Sequence, residues 1–281
     1  MTSPPIAVGG VGGSGSRIIA RLLQEMGLFI GSDLPVSVDT VWYAALFGYR
    51  GVLLEDAEDL NAMFSLFFRQ MKDPRPLTEA ERFRLQEICR LPRHQHDPLT
   101  VDMWMNSFIE HCQSGGAAER WGWKVPYTFV LIDRLFDWSK DLKYVHIRRN
   151  GLDMAFSQNQ NQLGKWGPVL LNRNVEIGPR DSLKFWGAVD RRMAQITKRF
   201  PARVLTVEFE DLVDHPDRVV AQIADFSEVQ MSSDQVARFS ETIIKPDSVG
   251  RHMFQDLSQF DPEDVDYVKS VYENAQGDSV L

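Results

Sequence analysis

The stretch 5-PIAVGGVGGSGSRIIARLL-23 passes from a short apolar run through a cluster of glycines into an amphipathic helical pattern. Glycines at such a junction let the backbone direct its N–H groups at an anion, and the positive N-terminal end of the next helix adds to the attraction. The spacing satisfies the dinucleotide fingerprint G-x-G-x-x-G, with Asp33 near its acidic position, but Ser16 and Arg17 stand where a triphosphate-binding loop requires lysine and a hydroxyl group. The stretch therefore predicts a phosphate-binding loop without choosing its ligand. The residues expected to face the anion are Gly12, Gly13, Ser14, Gly15, Ser16 and Arg17.

Charge and composition narrow the classes of partner. The chain has 281 residues and a formal net charge of −8, which argues against a broad surface for nucleic acid or for an anionic membrane. No apolar run approaches the ~20 residues of a membrane span, and the N-terminus lacks the pattern of a signal peptide. Cys89 and Cys112 suggest reduced thiols rather than a disulfide scaffold. We therefore expect a cytoplasmic protein that binds neither nucleic acid nor membrane, with no expectation for its oligomeric state.

Three short apolar runs typical of strands alternate with long helical patterns. The runs are 6-IAV-8, 144-YVHI-147, with His146 expected in the core, and 203-RVLTVEF-209. The apolar periodicity predicts helices over 56–71, 78–90, 100–112, 182–200 and 261–275. This alternation predicts an α/β fold with a central, mainly parallel β-sheet flanked by helices, formed as a single domain over 1–281. The Gly-, Pro- and Asn-rich segment 164–181 is expected to be a long irregular loop of the kind that binds a ligand.

A second anion-binding candidate follows the second apolar run, in 144-YVHIRRNGLDMAFSQ-158. Arg149 closes the strand and Ser157 is expected on the inner face of the next helix, so that both could meet one phosphate through a forked guanidinium contact and a hydroxyl donor. An arginine pair such as Arg148 and Arg149 is more often a solvated turn. The carboxyl end of an inner strand is where α/β proteins bind ligands, which favours the binding interpretation here.

Together these motifs resemble those of the sulfotransferases that use 3′-phosphoadenosine 5′-phosphosulfate (PAPS). The resemblance rests on the glycine loop that ends in arginine and on the Arg149-x7-Ser157 spacing. It rests further on 121-WGWKVP-126, on the strand, E-D-L and capped helix of 203–226, and on 248-SVGRHMFQDL-257. It implies a P-loop NTPase-like sulfotransferase fold, PAPS as co-substrate, adenosine 3′,5′-bisphosphate (PAP) as product, and no metal.

The resemblance also implies roles for individual residues. The first loop would hold the 5′-phosphosulfate, and Arg149 with Ser157 would hold the 3′-phosphate. Arg251 lies in the segment similar to the loop that closes over the nucleotide, and Lys124 would reach the bridging oxygen of the leaving group. Many family members carry lysine or arginine inside the first loop where this chain has Gly12 and Gly13, which raises the importance of Lys124.

The general base is expected at Asp39, in 32-SDLPVSVDTVWYAALF-47. The resemblance implies that an acidic residue of this region takes the proton of the acceptor. An alternative is that Asp39 caps the helix that starts near Val41, since aspartate is a favoured N-cap residue. The sequence leaves both interpretations open.

The sequence therefore predicts a sulfotransferase that moves a sulfuryl group from PAPS to a hydroxyl group of a small metabolite or glycan. The segment 164–181 is expected on the acceptor side. Two alternatives stay open at this point: an NAD(P)-dependent oxidoreductase that uses the G-x-G-x-x-G loop, and a non-catalytic protein that binds PAP or another nucleotide.

Overall fold

Four parallel strands flanked by helices form the sheet of the computed structural model, which describes residues 3–277 and their side chains as far as residue 272. The strands are β1 (Ile6–Gly10), β2 (Gly122–Lys124), β3 (Lys143–Arg148) and β4 (Val204–Glu208), and their order in the sheet is β2-β1-β3-β4. β1 and β2 pair in parallel, with Val8 opposite Lys124. The predicted α/β class and the three predicted strands are confirmed.

The α-helices of the described chain lie between and after these strands in the order of the sequence. They are α1 (Ser16–Glu25), α2 (Val41–Phe47), α3 (Ala57–Lys72), α4 (Glu79–Arg90), α5 (Pro98–Ser114), α6 (Ile132–Trp138), α7 (Gly151–Ala155), α8 (Asn161–Leu170), α9 (Pro179–Arg199), α10 (Phe209–Asp214), α11 (Pro216–Phe226), α12 (Ser233–Ser240) and α13 (Pro262–Gly277). The five predicted helices correspond to α3, α4, α5, α9 and α13.

Side-chain caps explain why three of these helices begin where the sequence predicts. The Asp56 carboxylate accepts from the Asp59 N–H at the start of α3. Thr78 and Glu81 form a reciprocal capping box at the start of α4. Asp97 caps α5, whose first residue is a proline. These contacts satisfy N–H groups that a helix leaves unpaired at its first turn.

The prediction of an irregular loop over 164–181 is wrong for most of its length. α8 continues to Leu170 and α9 begins at Pro179, so that only residues 171–178 lie outside helices. Pro168 lies inside α8, although glycine and proline disfavour helix. The helix buries Leu163 and Trp166, and tertiary packing of this kind outweighs local propensity.

The chain divides into two compact units. The first comprises the chain as far as Gly9, then Ser16–Val145 and Ile223–Met231, whereas the second comprises Gly10–Gly15, His146–Gln222 and the chain from Ser232 onward. The prediction of a single domain over 1–281 stays a prediction. No helix among residues 3–277 has both the length and the apolar character needed to cross a membrane.

Each unit has its own core. In the first, Trp123 of β2 stacks on Tyr43 with ring centroids 5.6 Å apart and meets Phe67 edge-on at 5.5 Å. This aromatic packing fixes the short strand that ends at Lys124. In the second unit, α7, α9 and α13 pack around a cluster of buried side chains. Its members are Leu152, Met154, Ala155, Leu183, Trp186, Phe260 and Val268.

Candidate functional site

The glycine loop connects β1 to α1 and has a backbone that only glycine accepts at key points. Gly13 and Gly15 have φ values of +93° and +98°, a region that side chains disfavour. A Cβ on Gly15 would lie 2.4 Å from the Phe209 ring. Ser14 is buried, and its hydroxyl group has no hydrogen-bond partner among residues 3–277. An unsatisfied buried hydroxyl group is costly, so the loop has an unused donor at the place where the sequence predicts an anion.

Arg149 lies directly after β3 and contacts this loop. The residue is 4% exposed, and its guanidinium group donates from Nη1 to the Gly13 carbonyl at 3.4 Å and from Nη2 to Ser248 Oγ at 2.8 Å. Its central carbon lies 4.6 Å from the centroid of the Phe209 ring. The Nε donor is buried and finds no acceptor in the part of the chain that the structure describes. The structure thus places a buried cation with an unused N–H beside the glycine loop.

The charges around Arg149 oppose one another. Burial lowers the pKa of the Arg149 guanidinium, and the charge of Arg251 lowers it further, whereas Asp153 and Glu210 act in the opposite direction. A buried cation that feels a second cation gains from a bound anion, because the anion offsets both the desolvation and the repulsion.

Ser157 reaches the same loop, but from a different element than predicted. α7 ends at Ala155, so Ser157 lies after the helix and not on its inner face. Its N–H bonds to the Met154 carbonyl, which closes the last turn. A Cβ on Gly13 would lie 3.4 Å from Ser157 Oγ. The structure therefore brings Arg149, Ser157 and Gly13 together, as the spacing predicts.

Three further residues, which no sequence motif marks, lie against this part of the loop or against Arg149. A Cβ on Gly12 would lie 3.6 Å from Asn159 Nδ2 and from Gln162 Cδ. Gln162 is buried and donates to the Gly10 carbonyl at 3.4 Å. Ser248 accepts from Arg149. Their polar side chains are visible in the sequence, but polar residues outside a motif are too common to be recognised as site candidates.

Arg251 begins a short 3-10 turn. Its Nε donates to the Ser248 carbonyl at 3.1 Å, and its Nη1 donates to the Phe156 carbonyl at 3.4 Å. The preceding Gly250 has a φ of +77°. The segment 248–252 thereby presents Arg251 in a fixed backbone conformation.

In the first unit, Lys124 ends β2 with its ammonium group buried. The side chain is 4% exposed, and Nζ donates to Asp39 Oδ1 at 2.7 Å and to the Ser37 carbonyl at 3.0 Å. An ammonium group has three N–H donors, so one remains beyond these two bonds. Burial lowers the pKa of Lys124, Arg17 lowers it further, and Asp39 opposes both. Such a group is a stronger proton donor than an ordinary lysine.

The structure excludes one of the two interpretations of Asp39, namely that it caps α2. The N-cap of α2 is Thr40, whose hydroxyl group donates to the Ile30 carbonyl, so the interpretation of Asp39 as a cap is wrong. The Asp39 carboxylate instead accepts from Lys124 and, at 2.6 Å, from Ser37 Oγ. Val38 before it has a φ of +58°, and such strain often marks functional sites.

Arg17 and Ser16 open α1. Ser16 is buried, whereas Arg17 is exposed. Asp33, the acidic residue that a dinucleotide site would need, accepts from Ser107. Among residues 3–277 no group of three or more His, Cys, Asp or Glu side chains could hold a metal ion.

The fold and these residues define an α/β protein with a glycine loop between its first strand and its first helix. Residues 4–233 match the family model described as "Sulfotransferase family", and the chain belongs to that family. No curated protein matches it in sequence. Membership sets aside the oxidoreductase interpretation and supports sulfuryl transfer in general, and hence a transferase.

Three solved sulfotransferase structures of low sequence identity are similar to this chain to different degrees. The sulfotransferase domain of the Synechococcus PCC 7002 olefin synthase superposes with a TM-score of 0.50 at 17% identity, over 97% of this chain and 96% of that one. Sulfotransferase STF1 of Mycobacterium tuberculosis H37Rv gives 0.43 at 17% identity, over 86% and 72%. A sulfotransferase of Alicyclobacillus acidocaldarius gives 0.43 at 15%, over 98% and 93%.

Proposed function

We propose that this protein transfers the sulfuryl group of PAPS to a hydroxyl group of a small metabolite or glycan. The observation that carries the proposal is the buried Arg149 guanidinium group, which contacts the glycine loop at the Gly13 carbonyl. Within residues 3–277, neither its Nε nor the Ser14 hydroxyl group has a hydrogen-bond partner. Groups of this kind fit a phosphate-bearing ligand, because each buried donor needs an acceptor oxygen and the arginine also gains from an anionic one. PAPS satisfies this requirement and is the donor that the resemblance implies.

The loop and the arginines divide the binding of this nucleotide. The N–H groups of the loop, the Ser14 hydroxyl and Arg17 at the start of α1 would bind the 5′-phosphosulfate. Arg149, Ser157 and Arg251 would bind the 3′-phosphate. The chain has no lysine or arginine within Gly10–Gly15; the cations therefore come from the residues that follow the loop and from Lys124.

Sulfuryl transfer asks the protein mainly for positioning and for charge stabilisation, as phosphoryl transfer does. The bond between sulfur and the bridging oxygen of PAPS breaks, and a bond forms between sulfur and the acceptor oxygen. The acceptor proton passes to the Asp39 carboxylate. The unused N–H of Lys124 stabilises the charge that develops on the bridging oxygen, which leaves with PAP. The role of residues 164–181 on the acceptor side stays a prediction.

A ligand panel followed by an activity assay tests this function. PAP should raise the melting temperature where NAD, NADP and ATP do not, because a ligand at a hundred times its Kd adds about 2.7 kcal/mol to the free energy of unfolding. With PAPS labelled in its sulfuryl group, Lys124→Ala should lower transfer by about 10²–10³-fold while PAP still binds.

Lys143→Ala is the matched control, since Lys143 also lies in a strand and pairs with a carboxylate, Glu228, at 2.7 Å. It should transfer as the wild type does. A melt shifted by NAD and not by PAP would overturn the proposal. PAP binding without transfer to any hydroxyl acceptor would favour the non-catalytic alternative.

A further inference from the structure

Asp153 is a buried carboxylate whose partners all lie in one distant segment. The residue is 1% exposed. It accepts hydrogen bonds from the Gly250 N–H at 2.7 Å, from the His252 N–H at 3.1 Å and from His252 Nδ1 at 2.6 Å. A buried carboxylate without partners would be strongly unfavourable, so these three donors are the reason that Asp153 is tolerated in α7.

The segment held in this way contains Arg251. Asp153 accepts hydrogen bonds from Gly250 and His252, the residues before and after Arg251. Gly250 has a φ of +77°, which other residues rarely adopt. The same segment is bound at Ser248 by Arg149. Arg149 and Asp153 are four residues apart, at the two ends of the turn that starts α7. The turn that carries Arg149, one residue proposed to bind the phosphate, therefore also holds the segment of Arg251, the other such residue.

Holding two arginines close together without a ligand has an electrostatic cost. The charge of Arg251 lowers the pKa of Arg149, whereas the charge of Asp153 raises it. The carboxylate therefore offsets the repulsion and fixes the backbone at once. Both carboxylate oxygens of Asp153 are hydrogen-bonded to this segment: Oδ2 accepts from the Gly250 N–H, and Oδ1 accepts from the His252 N–H and from His252 Nδ1.

We propose that Asp153 is a positioning residue that holds Arg251 beside Arg149, so that both guanidinium groups bind the 3′-phosphate of the nucleotide. The inference rests on the proposed function, because it takes PAP and PAPS as the ligands. Asp153 acts through Arg251 and does not itself touch the nucleotide.

A double-mutant cycle on PAP affinity tests the inference in the full chain. Titration calorimetry with PAP is carried out on the wild type, Asp153→Asn, Arg251→Ala and the double variant. Removing one charge-assisted contact should weaken PAP binding by about 10–100-fold in Arg251→Ala. Asp153→Asn should weaken it by about 5–50-fold, and the double variant should be no weaker than Arg251→Ala alone, since residues that act through one another are not additive.

A purely structural role of Asp153 gives a different result. In that case Asp153→Asn lowers the melting temperature but leaves the Kd of PAP unchanged, both in the wild type and in the Arg251→Ala background. Transfer kinetics give a second measurement: the inference expects a raised KM for PAPS with kcat retained at saturation. Asp256→Asn is the control, because Asp256 is an exposed carboxylate of the same region that only accepts from its own neighbour Ser258.

His252→Ala covers the case in which Asp153→Asn fails to fold, because it removes one of the three donors and leaves the carboxylate in place. It should weaken PAP binding by about 2–10-fold; wild-type affinity in a folded His252→Ala protein would overturn the inference. If the wild type does not bind PAP, the proposed function and the inference fall together. If PAP binds and Arg251→Ala weakens it while Asp153→Asn does not, only the inference falls.

Discussion

The Lys124 ammonium group is buried and forms an ion pair with Asp39, whose charge raises the pKa of the lysine. Removing the carboxylate in Asp39→Asn takes away the one partner that raises the pKa of Lys124, while burial and Arg17 continue to lower it. The ammonium then loses its proton at a lower pH. We expect transfer to fall by about 10²–10⁴-fold through loss of the base, and the alkaline limb of the kcat/KM profile to move to lower pH.

Asp33→Asn is the matched control for that measurement. Asp33 precedes Asp39 in the same loop region and bonds to Ser107 instead of to a lysine. Its profile should coincide with that of the wild type. An alkaline limb in Asp39→Asn at the wild-type position would show that Asp39 does not influence Lys124 in the working enzyme.

At this scale the sequence identified the residue types but not their partners. The order D-T-V-W left Asp39 as either a cap or a base, because Lys124, the partner that its carboxylate binds in the structure, lies 85 positions away. Asp153 was missed for the same reason. An acidic residue in the first turn of a helix is ordinary, and only the fold brings Gly250 and His252 to it.

β3 carries a histidine whose protonation opposes folding. His146 is buried in the strand as predicted, and burial lowers its pKa from 6.5 to about 4, with Arg148 acting in the same direction and Asp190 against it. Between these two pH values the unfolded chain binds a proton that the folded chain does not. This part of the stability is present in full above pH 6.5 and is lost as the pH falls towards 4, a loss of up to about 3 kcal/mol.

Urea unfolding at a series of pH values measures this loss. His146→Gln cannot titrate, so its free energy of unfolding should fall less steeply with acid than that of the wild type, even though its absolute stability is lower. His215→Gln, at an exposed position, should keep the wild-type slope. Equal slopes in all three proteins would contradict the assignment.

The elements that the sequence predicted are those with a strong local pattern. β1, β3 and β4 stand out as apolar runs, and α3, α4 and α5 have caps. β2 has three residues and ends in lysine, so no strand pattern could form, and its place is set by pairing with β1. α8 was predicted as a loop because of its glycines and proline. In both cases tertiary packing supplies what the local sequence lacks.

For the whole molecule, the family match leaves out a segment that the second unit requires. The match ends at residue 233, yet Ser248, Arg251 and the buried Phe260 lie beyond it. Phe260 packs edge-on against Phe156 at 5.5 Å, and Phe156 supplies a carbonyl group to Arg251. The segment after residue 233 therefore contributes Phe260 to the core of the second unit, and it contains Ser248 and Arg251, which we propose to lie at the nucleotide site.

Phe260→Ala tests whether this segment is part of the folding unit. Phe260 is 6% exposed and belongs to the cluster around Trp186, so the truncation should lower the free energy of unfolding by about 3–5 kcal/mol in urea. Phe254→Ala, at a side chain that is 86% exposed, should cost less than about 0.5 kcal/mol. PAP at a hundred times its Kd should restore about 2.7 kcal/mol to each variant, provided that binding is intact. If Phe260→Ala has the same free energy of unfolding as Phe254→Ala and the wild type, the second unit folds without support from this segment. The position of Arg251 near Arg149 would then not depend on the packing of Phe260.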